Sequence, residues 1–338
     1  MARVTDVLTW ADAMREALAL AQSPDAPFGE NPRVGCVIVS ADGAVVGRGH
    51  HHGAGTAHAE VEALADAGDR AVGATAVVTL EPCRHVGRTG PCTTALIDAG
   101  IARVVFAQKD PTVAGGGGAA VLEAVGIPTT GGLFAQEAER VNEVWTFSVR
   151  AGRPMVTWKC AVSLDGRVGG PDGGPTSLTG QASHALVHEL RSQVGAIIVG
   201  TGTALVDDPA LTVRIADAKP PSHGPLRVVV GSRALPPDSR VLDGSAETLL
   251  LDERDPARVL ASLTERGVRH ALLEGGPTLA AAFLGARLID RVDWYIAPLL
   301  LGAGPIALPG IAVAQGVDVE VVTVVGEDVR IQGWIHYD

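Results

Sequence analysis

Two cysteines lie in one short polar stretch, TLEPCRHVGRTGPC at residues 79–92, and a proline directly precedes each of them. Cys83 and Cys92 are two of only four cysteines in the chain. The upstream motif GTAHAEVEAL supplies His58 as a third possible metal ligand. One imidazole and two thiolates favour zinc, and three protein ligands leave the fourth position for water, as a catalytic zinc requires.

Glu60 follows His58 by two residues, at the predicted start of a helix. Bound zinc lowers the pKa of its water to about 7, and a carboxylate beside it can carry protons. Because proline suits the first turn of a helix, Cys92 is predicted at a helix N-terminus, where the dipole favours a thiolate. The alternative is a closed structural zinc site whose fourth ligand would be one of four histidines: His50, His51, His52 or His85.

The order H-x-E and then P-C…C is the signature of zinc-dependent nucleobase deaminases. That signature is usually completed as P-C-x-x-C, whereas eight residues separate the two cysteines here. The simple cytidine or tRNA-adenosine deaminase pattern therefore does not fit. The net charge of −11 and the 4% aromatic content argue against a general nucleic-acid binder.

The elements around these residues alternate between strand and helix. A chain of 338 residues, 46% hydrophobic and 19% charged, predicts two folded domains. Helical spacing of Leu8, Ala11, Met14 and Leu18 predicts a first helix over 5–22. The apolar runs VGCVIVS, ATAVVTL and ARVVFAQ predict buried strands, and HAEVEALADAG and AAVLEAVG predict helices between them. This alternation indicates an α/β layered unit.

A second unit is predicted to begin near residue 150, where Gly152, Arg153 and Pro154 interrupt the pattern. A strand follows these residues, then a helix in QASHALVHELRSQ and strands in AIIVG, LRVVV and TLLL. HALLEGGPTLAAAFLG reads as strand, glycine turn and helix, and backbone N–H groups at that helix start could hold a phosphate. A plain tight turn is the alternative. No complete dinucleotide fingerprint is present.

The long uncharged stretch that starts at Trp294 is interrupted by prolines and glycines, so a strand and a loop are predicted there instead of a membrane helix. The N-terminal residues include acids and no long apolar run, which is unlike a secretory signal. A cytoplasmic protein without disulfides is therefore expected.

Taken together, the motifs resemble the bifunctional riboflavin-biosynthesis deaminase/reductase family. NPRVGCVIV, HAEVEAL, TLEPCRHVGRTGPC and LIDAGIARVVFAQKDP resemble its deaminase half, and KCAVSLDGRV, GTGTALVDDPALTVR and LLEGGPTLAAAFL resemble its reductase half. The resemblance covers nearly the whole chain. It implies a cytidine-deaminase-like three-layer α/β/α domain over 1–148 and a dihydrofolate-reductase-like α/β domain over 152–338.

The resemblance also implies the chemistry. The family inserts a substrate-binding loop between its cysteines, removes an amine hydrolytically from 2,5-diamino-6-(5-phosphoribosylamino)pyrimidin-4-one, and then reduces the ribosyl group to ribityl with NADPH. Zinc would be held by His58, Cys83 and Cys92, with Glu60 as the proton carrier. The implied substrate contacts in the first half are Asn31, His51, His85, Arg88 and Asp110.

In the second half, the resemblance implies two sets of contacts. The positions that would face NADPH are Ala161, Thr203, Asp207, Ser232, Gly276, Pro277 and Thr278. The positions that would face substrate are Arg191, Leu211, Arg214 and Glu274. The two arginines are plausible phosphate clamps, although a solvated helix face is the alternative for Arg191. The family forms dimers or tetramers, so a homo-oligomer is expected.

Four positions depart from the family's usual residues. Arg84 stands where serine is usual, Val86 where histidine is frequent, Thr112 where asparagine is expected and Ser177 where tryptophan is frequent. The stretch DPTVAGGGG is also shorter than the usual one. Three alternatives therefore stay open: a protein with one active half, a zinc-stabilised nucleotide-binding protein without turnover, and a zinc deaminase of other specificity, including one that acts on nucleic acid.

Overall fold

A five-stranded sheet forms the centre of the first of two units, Met1–Ala151; the second unit is Gly152–Asp338. The computed structural model describes residues 4–26, 28–85, 90–172, 174, 176–215, 224–310 and 314–337. The strands of the first sheet are β1 Gly35–Val39, β2 Val45–His50, β3 Thr75–Leu80, β4 Arg103–Gln108 and β5 Thr129–Gly131. Their order is β2-β1-β3-β4-β5, with β1 antiparallel to β2 and β3 and the last three strands parallel.

Helices cover both faces of this sheet, because successive strand residues point to opposite sides. They are α1 Val4–Ala21, α2 Ala59–Ala67, α3 Cys92–Asp98, α4 Gly118–Ala124, α5 Ala135–Val141 and α6 Glu143–Ala151, and a 3₁₀ turn follows α2 at Gly68–Ala71. Cys36 and Ile38 of β1 pack in a core with Ala63 of α2, whereas Val37 packs on the other face with Met14 of α1. The expected three-layer α/β/α fold is confirmed.

Two glycines of β2 set how closely α2 lies against the sheet. A Cβ atom on Gly47 would lie 2.2 Å from the Ala63 carbonyl oxygen, and one on Gly49 would lie 2.4 Å from that of Ala59. Only glycine permits this approach of helix backbone to strand backbone. The N-terminus of α2, which follows His58 and contains Glu60, is thereby held against the strand.

The second unit contains an eight-stranded sheet in the order β12-β13-β11-β6-β10-β7-β8-β9. Its strands are β6 Met155–Ser163, β7 Ala196–Gly200, β8 Leu226–Val230, β9 Thr248–Leu251, β10 His270–Leu273, β11 Arg291–Ala297, β12 Gly316–Val325 and β13 Asp328–His336. The six strands from β11 to β9 run parallel, and β13 and β12 add an antiparallel hairpin at one edge.

Four helices flank this sheet: α7 Gln181–Ser192, α8 Thr201–Asp207, α9 Pro256–Thr264 and α10 Pro277–Gly285, with a 3₁₀ turn at Arg240–Leu242. Ile198 of β7 packs in the core with Phe283 of α10, and Ile197 points to the other face, where Ala204 of α8 lies. Strand β7 is therefore covered on both sides, as the near-continuous apolar run AIIVG predicts.

The strands and helices named from the sequence are confirmed within a residue or two. The stretch from Trp294 is the end of β11 followed by non-helical backbone, and no helix among the described residues has the length and apolarity to cross a membrane. The sequence patterns did not predict six of the elements described here: β2, β5, α5, α6, α8 and α9. In β2 the sequence VVGRGH contains two glycines and two polar residues, so it lacks a clear apolar run.

One arginine organises the long connections of the second unit. Arg227 of β8 is fully buried, and its guanidinium pairs with Asp243 Oδ1 at 2.8 Å. Its remaining N–H groups donate to Thr248 Oγ1, Ser245 Oγ and the carbonyl oxygens of Ala210, Arg240, Asp243 and Ala246. Removal of the guanidinium would leave these acceptors, four of them backbone carbonyl oxygens, without their donor, which is costly wherever water cannot replace it.

We expect Arg227→Met to lower the free energy of unfolding of the second unit by about 1–3 kcal/mol, the usual cost of leaving a buried hydrogen-bonding group without its partner. Urea denaturation followed by tryptophan fluorescence would measure it. Arg258→Met is the control, because that side chain is 76% exposed on α9, and a surface change of this kind costs about 0.5 kcal/mol or less. Equal losses in the two variants would contradict the assigned role of Arg227.

Candidate functional sites

Three separate segments bring His58, Cys83 and Cys92 together in the first unit. His58 is the residue before α2, Cys83 follows the end of β3, and Cys92 is the first residue of α3, after Pro91 at the cap position. The His58 Nδ1 atom lies 3.0 Å from Cys92 Sγ and 3.5 Å from Cys83 Sγ, and the two sulfurs are 3.4 Å apart. The structure thus confirms that Cys92 begins a helix.

The spacing of these atoms fits a zinc ion. Donors bound to one tetrahedral zinc lie about 3.6–3.8 Å from one another, given bonds of about 2.0–2.3 Å. One donor atom from each of the three residues lies within 4.8 Å of the other two, and both cysteines are buried. Two soft thiolates and an imidazole are a donor set that selects zinc.

A hydrogen bond joins the two thiols in this arrangement. The hydrogen bond from the Cys92 thiol lowers the pKa of Cys83 to about 4, and the same hydrogen bond raises the pKa of Cys92. The Cys92 backbone N–H also points to Cys83 Sγ at 3.4 Å. A hydrogen bond with Cys83 raises the pKa of His58. One thiolate is therefore already favoured, and a divalent cation would displace the remaining proton.

Glu60 is buried beside this triad, with 4% of its surface exposed. Its carboxyl contacts the Cys92 thiol. Burial raises the pKa of Glu60, and the nearby His58 opposes that change. A buried carboxyl with a raised pKa next to a metal site suits a group that accepts and returns a proton near neutral pH.

His51 and Asn31 form a hydrogen-bonded pair next to the triad. The His51 ring lies 5.5 Å from the His58 ring, centroid to centroid, at right angles to it. Its Nδ1–H donates to the Ala57 carbonyl oxygen at 3.0 Å, so its Nε2 accepts from Asn31 Nδ2 at 3.0 Å. Burial lowers the pKa of His51, and the ring is neutral in this arrangement.

The structure brings no fourth ligand to the triad from the residues that it describes. Both ring nitrogens of His51 have other partners. His50 and His52 are paired with Asp25 instead, and His85 is exposed. The set of three ligands with an open position therefore describes this site better than a closed structural zinc does.

Glu81, which the sequence argument did not single out, holds the loop that follows β4. Its buried carboxylate accepts the N–H groups of Asp110, Gly117 and Ala119 at 3.1–3.3 Å. The only sequence signal for this role was its place in the motif, two residues before Cys83. The arrangement ties the connection between β4 and α4 to the cysteine loop.

Arg84 and Thr112, two of the departures from the family pattern, also shape this loop. Arg84 donates to the carbonyl oxygens of Gly116, at 2.6 Å, and Val113, at 3.3 Å. Thr112 donates to Asp110 Oδ1 through its backbone N–H, at 2.8 Å, and its hydroxyl, at 2.7 Å. Burial raises the pKa of Asp110. The shorter glycine-rich stretch is thus braced by contacts from these two residues. Arg88 and Val86 lie outside the described residues.

The second unit contains a cleft of about 800 Å³ at the carboxyl ends of its central strands. Most of the positions expected to face NADPH line it: Ala161, Thr203, Asp207, Gly276, Pro277 and Thr278. The Gly276 N–H donates to Thr203 Oγ1 at 3.0 Å, which fixes the glycine turn against α8. Pro277 has no N–H and the Leu279 N–H donates to the Gly276 carbonyl oxygen at 3.1 Å, which leaves the Thr278 N–H to meet an anion at this helix start. Burial raises the pKa of Asp207.

Arg191 and Glu274 form a bidentate ion pair in this unit. The Arg191 guanidinium donates to the two Glu274 carboxylate oxygens at 2.7 and 2.6 Å, and both side chains are largely buried. Burial acts to raise the pKa of Glu274, but the charge and hydrogen bonds of Arg191 outweigh it, and the pKa is lowered. Arg191 is therefore not on a solvated helix face, which was the alternative.

Four expected contacts are not among the residues that line the cleft: Arg191, Leu211, Arg214 and Ser232. Ser232 is exposed, although its neighbours Gly231 and Arg233 line the cleft. Leu211 is buried in the core with a positive φ of 50°, and Arg214 contacts His188. Conversely, Lys159, Arg233 and Arg254 line the cleft and were not predicted, because single basic residues in loops or strand ends carry no sequence signal.

Comparison with protein families gives a match in each unit. A family model described as the cytidine and deoxycytidylate deaminase zinc-binding region matches residues 9–108. One described as the RibD C-terminal domain matches residues 154–331. The zinc-binding match contains the whole triad, and the second match contains the whole cleft.

Known relatives match along most of the chain. The riboflavin biosynthesis protein RibD of Mycobacterium tuberculosis is 46% identical over 285 residues, which cover 84% of each chain. RibD of Escherichia coli is 40% identical, with 88% of this chain and 91% of that one covered. The structure of Acinetobacter baumannii RibD superposes with a TM-score of 0.89 at 32% identity, covering 98% of this chain and 100% of that one.

A Thermotoga maritima structure also superposes, with a TM-score of 0.84 at 28% identity, covering 97% of this chain and 99% of that one. It is described as a diaminohydroxyphosphoribosylaminopyrimidine deaminase/5-amino-6-(5-phosphoribosylamino)uracil reductase. The chain thus matches two-domain relatives in both halves and in the same order.

We expect Cys92→Ser to purify with far less than one equivalent of zinc, because the alcohol is a poor substitute for a buried thiolate ligand. Elemental analysis of the full-length protein would measure the zinc content. Cys160→Ser is the control, since Cys160 is also buried but lies in the second unit, and it should retain zinc at the wild-type level. Equal zinc in the Cys92 variant would show that this thiol is not a ligand.

Proposed function

The chain belongs to the RibD family of bifunctional riboflavin-biosynthesis enzymes, and we propose which residues carry out each of its two reactions. It is a zinc-dependent deaminase and an NADPH-dependent reductase. The observation that carries the assignment is the convergence of His58, Cys83 and Cys92 beside buried Glu60. We assign the deaminase to residues 1–148 and the reductase to residues 152–338.

For the first reaction, we propose 2,5-diamino-6-(5-phosphoribosylamino)pyrimidin-4-one as substrate. His58, Cys83 and Cys92 hold the metal, and bound zinc supplies Lewis-acid activation of a water molecule. The Glu60 carboxylate takes a proton from that water as the water oxygen bonds to the ring carbon. It then delivers the proton to the amine nitrogen, the carbon–nitrogen bond breaks, and ammonia leaves. Burial of Glu60 keeps the proton transfer out of bulk solvent.

The substrate contacts of the deaminase are assigned to residues near the triad. His51 and Asn31 present a fixed hydrogen-bonding edge to the pyrimidine. Asp110 lies at the loop that Glu81 and Arg84 hold in place, where it can accept from an exocyclic amine. His85, which is exposed after Cys83, is assigned with Asn31 to the pyrimidine edge. Arg88 is assigned to the ribose phosphate end, since a guanidinium binds phosphate well.

For the second reaction, we propose that NADPH lies along the glycine turn at Gly276–Thr278 and beside Thr203. The cofactor supplies the hydride. The helix start at Pro277 and the basic Arg233 and Arg254 at the cleft can hold its phosphates. Ala161 and Asp207 line the same space, and Ser232 lies at its edge.

The Arg191–Glu274 pair is proposed to orient the ribosyl substrate. Glu274 lines the cleft, and its carboxylate stays ionised because Arg191 holds it. Arg191 also donates to the Thr212 carbonyl oxygen at 3.2 Å, in the segment between Leu211 and Arg214. A substrate that contacts this segment would therefore also affect the position of Arg191 and its ion pair with Glu274. We assign Leu211 and Arg214 to that side of the substrate.

We further infer a homo-oligomer, a dimer or tetramer, in the cytoplasm. The four free cysteines suit a reducing compartment. The support for self-association is edge strand β12, where Val317, Val319, Val322 and Val324 are 41–75% exposed. A bulge at Glu320 keeps all four valines on one face, because they pair with alternate residues of β13. Such an apolar edge suits a second copy of the chain.

The Glu60→Gln variant tests whether Glu60 transfers protons while His58, Cys83 and Cys92 hold the metal. We expect it to retain zinc, because Glu60 is not a ligand, and to lower the deamination rate by about 100- to 10,000-fold. NADPH oxidation started from the diaminopyrimidine substrate would fall by the same factor. Oxidation started from the already deaminated compound would be unchanged. The control is Glu139→Gln, an exposed glutamate on α5 that pairs only with surface Arg150 among the described residues.

Three outcomes would contradict parts of the proposal. Unchanged deamination in Glu60→Gln would remove Glu60 from the mechanism. Loss of zinc would make Glu60 a structural residue of the site. Failure of the wild-type enzyme to oxidise NADPH with the deaminated compound would leave only the first half active.

We expect the double variant Val322→Glu/Val324→Glu to be monomeric, because two carboxylates on the apolar edge repel a second copy and prevent its burial. Light scattering coupled to size-exclusion chromatography would measure the molar mass. Val125→Glu, at a valine 57% exposed in the first unit, is the control and should leave the molar mass unchanged. A wild-type monomer, or an oligomer that survives the double change, would contradict this interface.

A further inference from the structure

A second group of ligand-type side chains lies on the surface of the first unit, at the end of β2. His50 Nε2 is 3.1 Å from Asp25 Oδ1, and His52 Nδ1 is 3.5 Å from Asp25 Oδ2. The two imidazole rings are 4.1 Å apart, centroid to centroid. One donor atom from each of these three residues lies within 4.8 Å of the others. The reaction described above uses none of the three.

Glu62 orients one of these imidazoles. Glu62 Oε1 lies 3.0 Å from His52 Nε2, and Glu62 Oε2 accepts the backbone N–H of His50 at 2.7 Å. With its proton on Nε2, toward Glu62, the His52 ring presents the Nδ1 lone pair toward Asp25. A histidine that gives its other N–H to a carboxylate is the usual arrangement around a metal ligand.

The spacing and donor types point to a zinc-class ion. Nitrogen and oxygen donors at bonds of about 2.0–2.2 Å on one tetrahedral ion lie about 3.4 Å apart. Each imidazole nitrogen lies at a similar distance from one of the two Asp25 carboxylate oxygens, 3.1 Å for His50 and 3.5 Å for His52. Two imidazoles with one carboxylate are a known zinc set. Because the set lacks a thiolate, its affinity for zinc should be lower than that of the catalytic triad.

We propose that Asp25, His50 and His52 form a second, solvent-open site for a zinc-class divalent cation, with Glu62 positioning His52. The site joins two segments of the chain. Asp25 belongs to the connection between α1 and β1. His50 is the last residue of β2, and His52 lies two residues after it. Asn31, which contacts His51, lies in the same connection. Bound cation would therefore fasten this connection to the end of β2.

The cluster differs from an ordinary histidine–aspartate ion pair on the surface because it contains a second imidazole. His336 and Asp318 in the second unit also form a histidine–aspartate pair, but no second imidazole accompanies them among the metal-ligand groups of the described residues. The His336 pair therefore provides a matched control that keeps the charge pairing and lacks the ligand set.

The test is a zinc titration of the full-length protein against a chromophoric chelator, without substrate. We expect two equivalents to bind, the second more weakly than the first. His52→Gln and Asp25→Asn should each weaken the second equivalent at least tenfold and leave the first unchanged. Glu62→Gln should weaken the second by about 10- to 100-fold, as expected for a carboxylate that orients a ligand. His336→Gln should change neither equivalent.

Cobalt identifies the donors of the second equivalent. Co²⁺ added to protein that already holds one zinc should produce d–d bands without thiolate-to-metal charge transfer, since the proposed site has only nitrogen and oxygen donors. A thermal melt of each variant without added metal checks that it is folded; Asp25 and His52 are both exposed, so the melts should match that of the wild type.

The proposal is overturned if only one equivalent binds, if the second persists unchanged in both the His52 and Asp25 variants, or if cobalt shows a thiolate band. In the first case the cluster is an ion pair without a metal. None of these readouts involves catalysis, so the outcome is independent of the proposed substrate and of the two assigned reactions.

Discussion

The deaminase half depends on one geometric constraint: three donor atoms from three separate segments must come within about 3.5 Å of one another. Helix α2 can deliver His58 only because Gly47 and Gly49 let it lie directly on β2. The end of β3 delivers Cys83, and the start of α3 delivers Cys92. A side chain on either glycine would move the helix by more than the site tolerates, since a well-packed interior does not deform continuously.

The polar groups around the triad keep its surroundings fixed. Glu81 gathers three backbone N–H groups from the loop after β4, and Arg84 takes two carbonyl oxygens of the same loop. Side chains from the cysteine loop and its approach thus anchor this loop at both its N–H and its carbonyl groups. Arg84 therefore stabilises this loop of the first unit through two hydrogen bonds to its backbone. A family serine at that position could not span the same distance.

The reductase half is also an α/β layered unit, but its site is a cleft at the ends of parallel strands and not a group of metal ligands. Parallel strands β7 and β10 end side by side, so the loop and helix that follow each of them meet at one cleft. Thr203 binds the glycine turn directly, and Arg191 neutralises Glu274 from the neighbouring helix. Arg227 ties the long connections below the cleft to the sheet. Position at the ends of parallel strands, and not a glycine fingerprint, creates the binding space.

The sequence by itself determined the α/β class and most of the strands and helices, and it singled out His58, Cys83, Cys92 and Glu60 as one group, because apolar periodicity and motifs are properties of short segments. It did not predict β2, β5, α5, α6, α8 or α9, because their short or glycine-containing sequences form these elements only when packed against the rest of the unit. The ion pair of Arg191 with Glu274, separated by 83 residues, the cluster of Asp25 with His50, and the brace from Arg84 were decided by tertiary structure. Each joins residues that are distant along the chain, and their approach depends on how the layers pack.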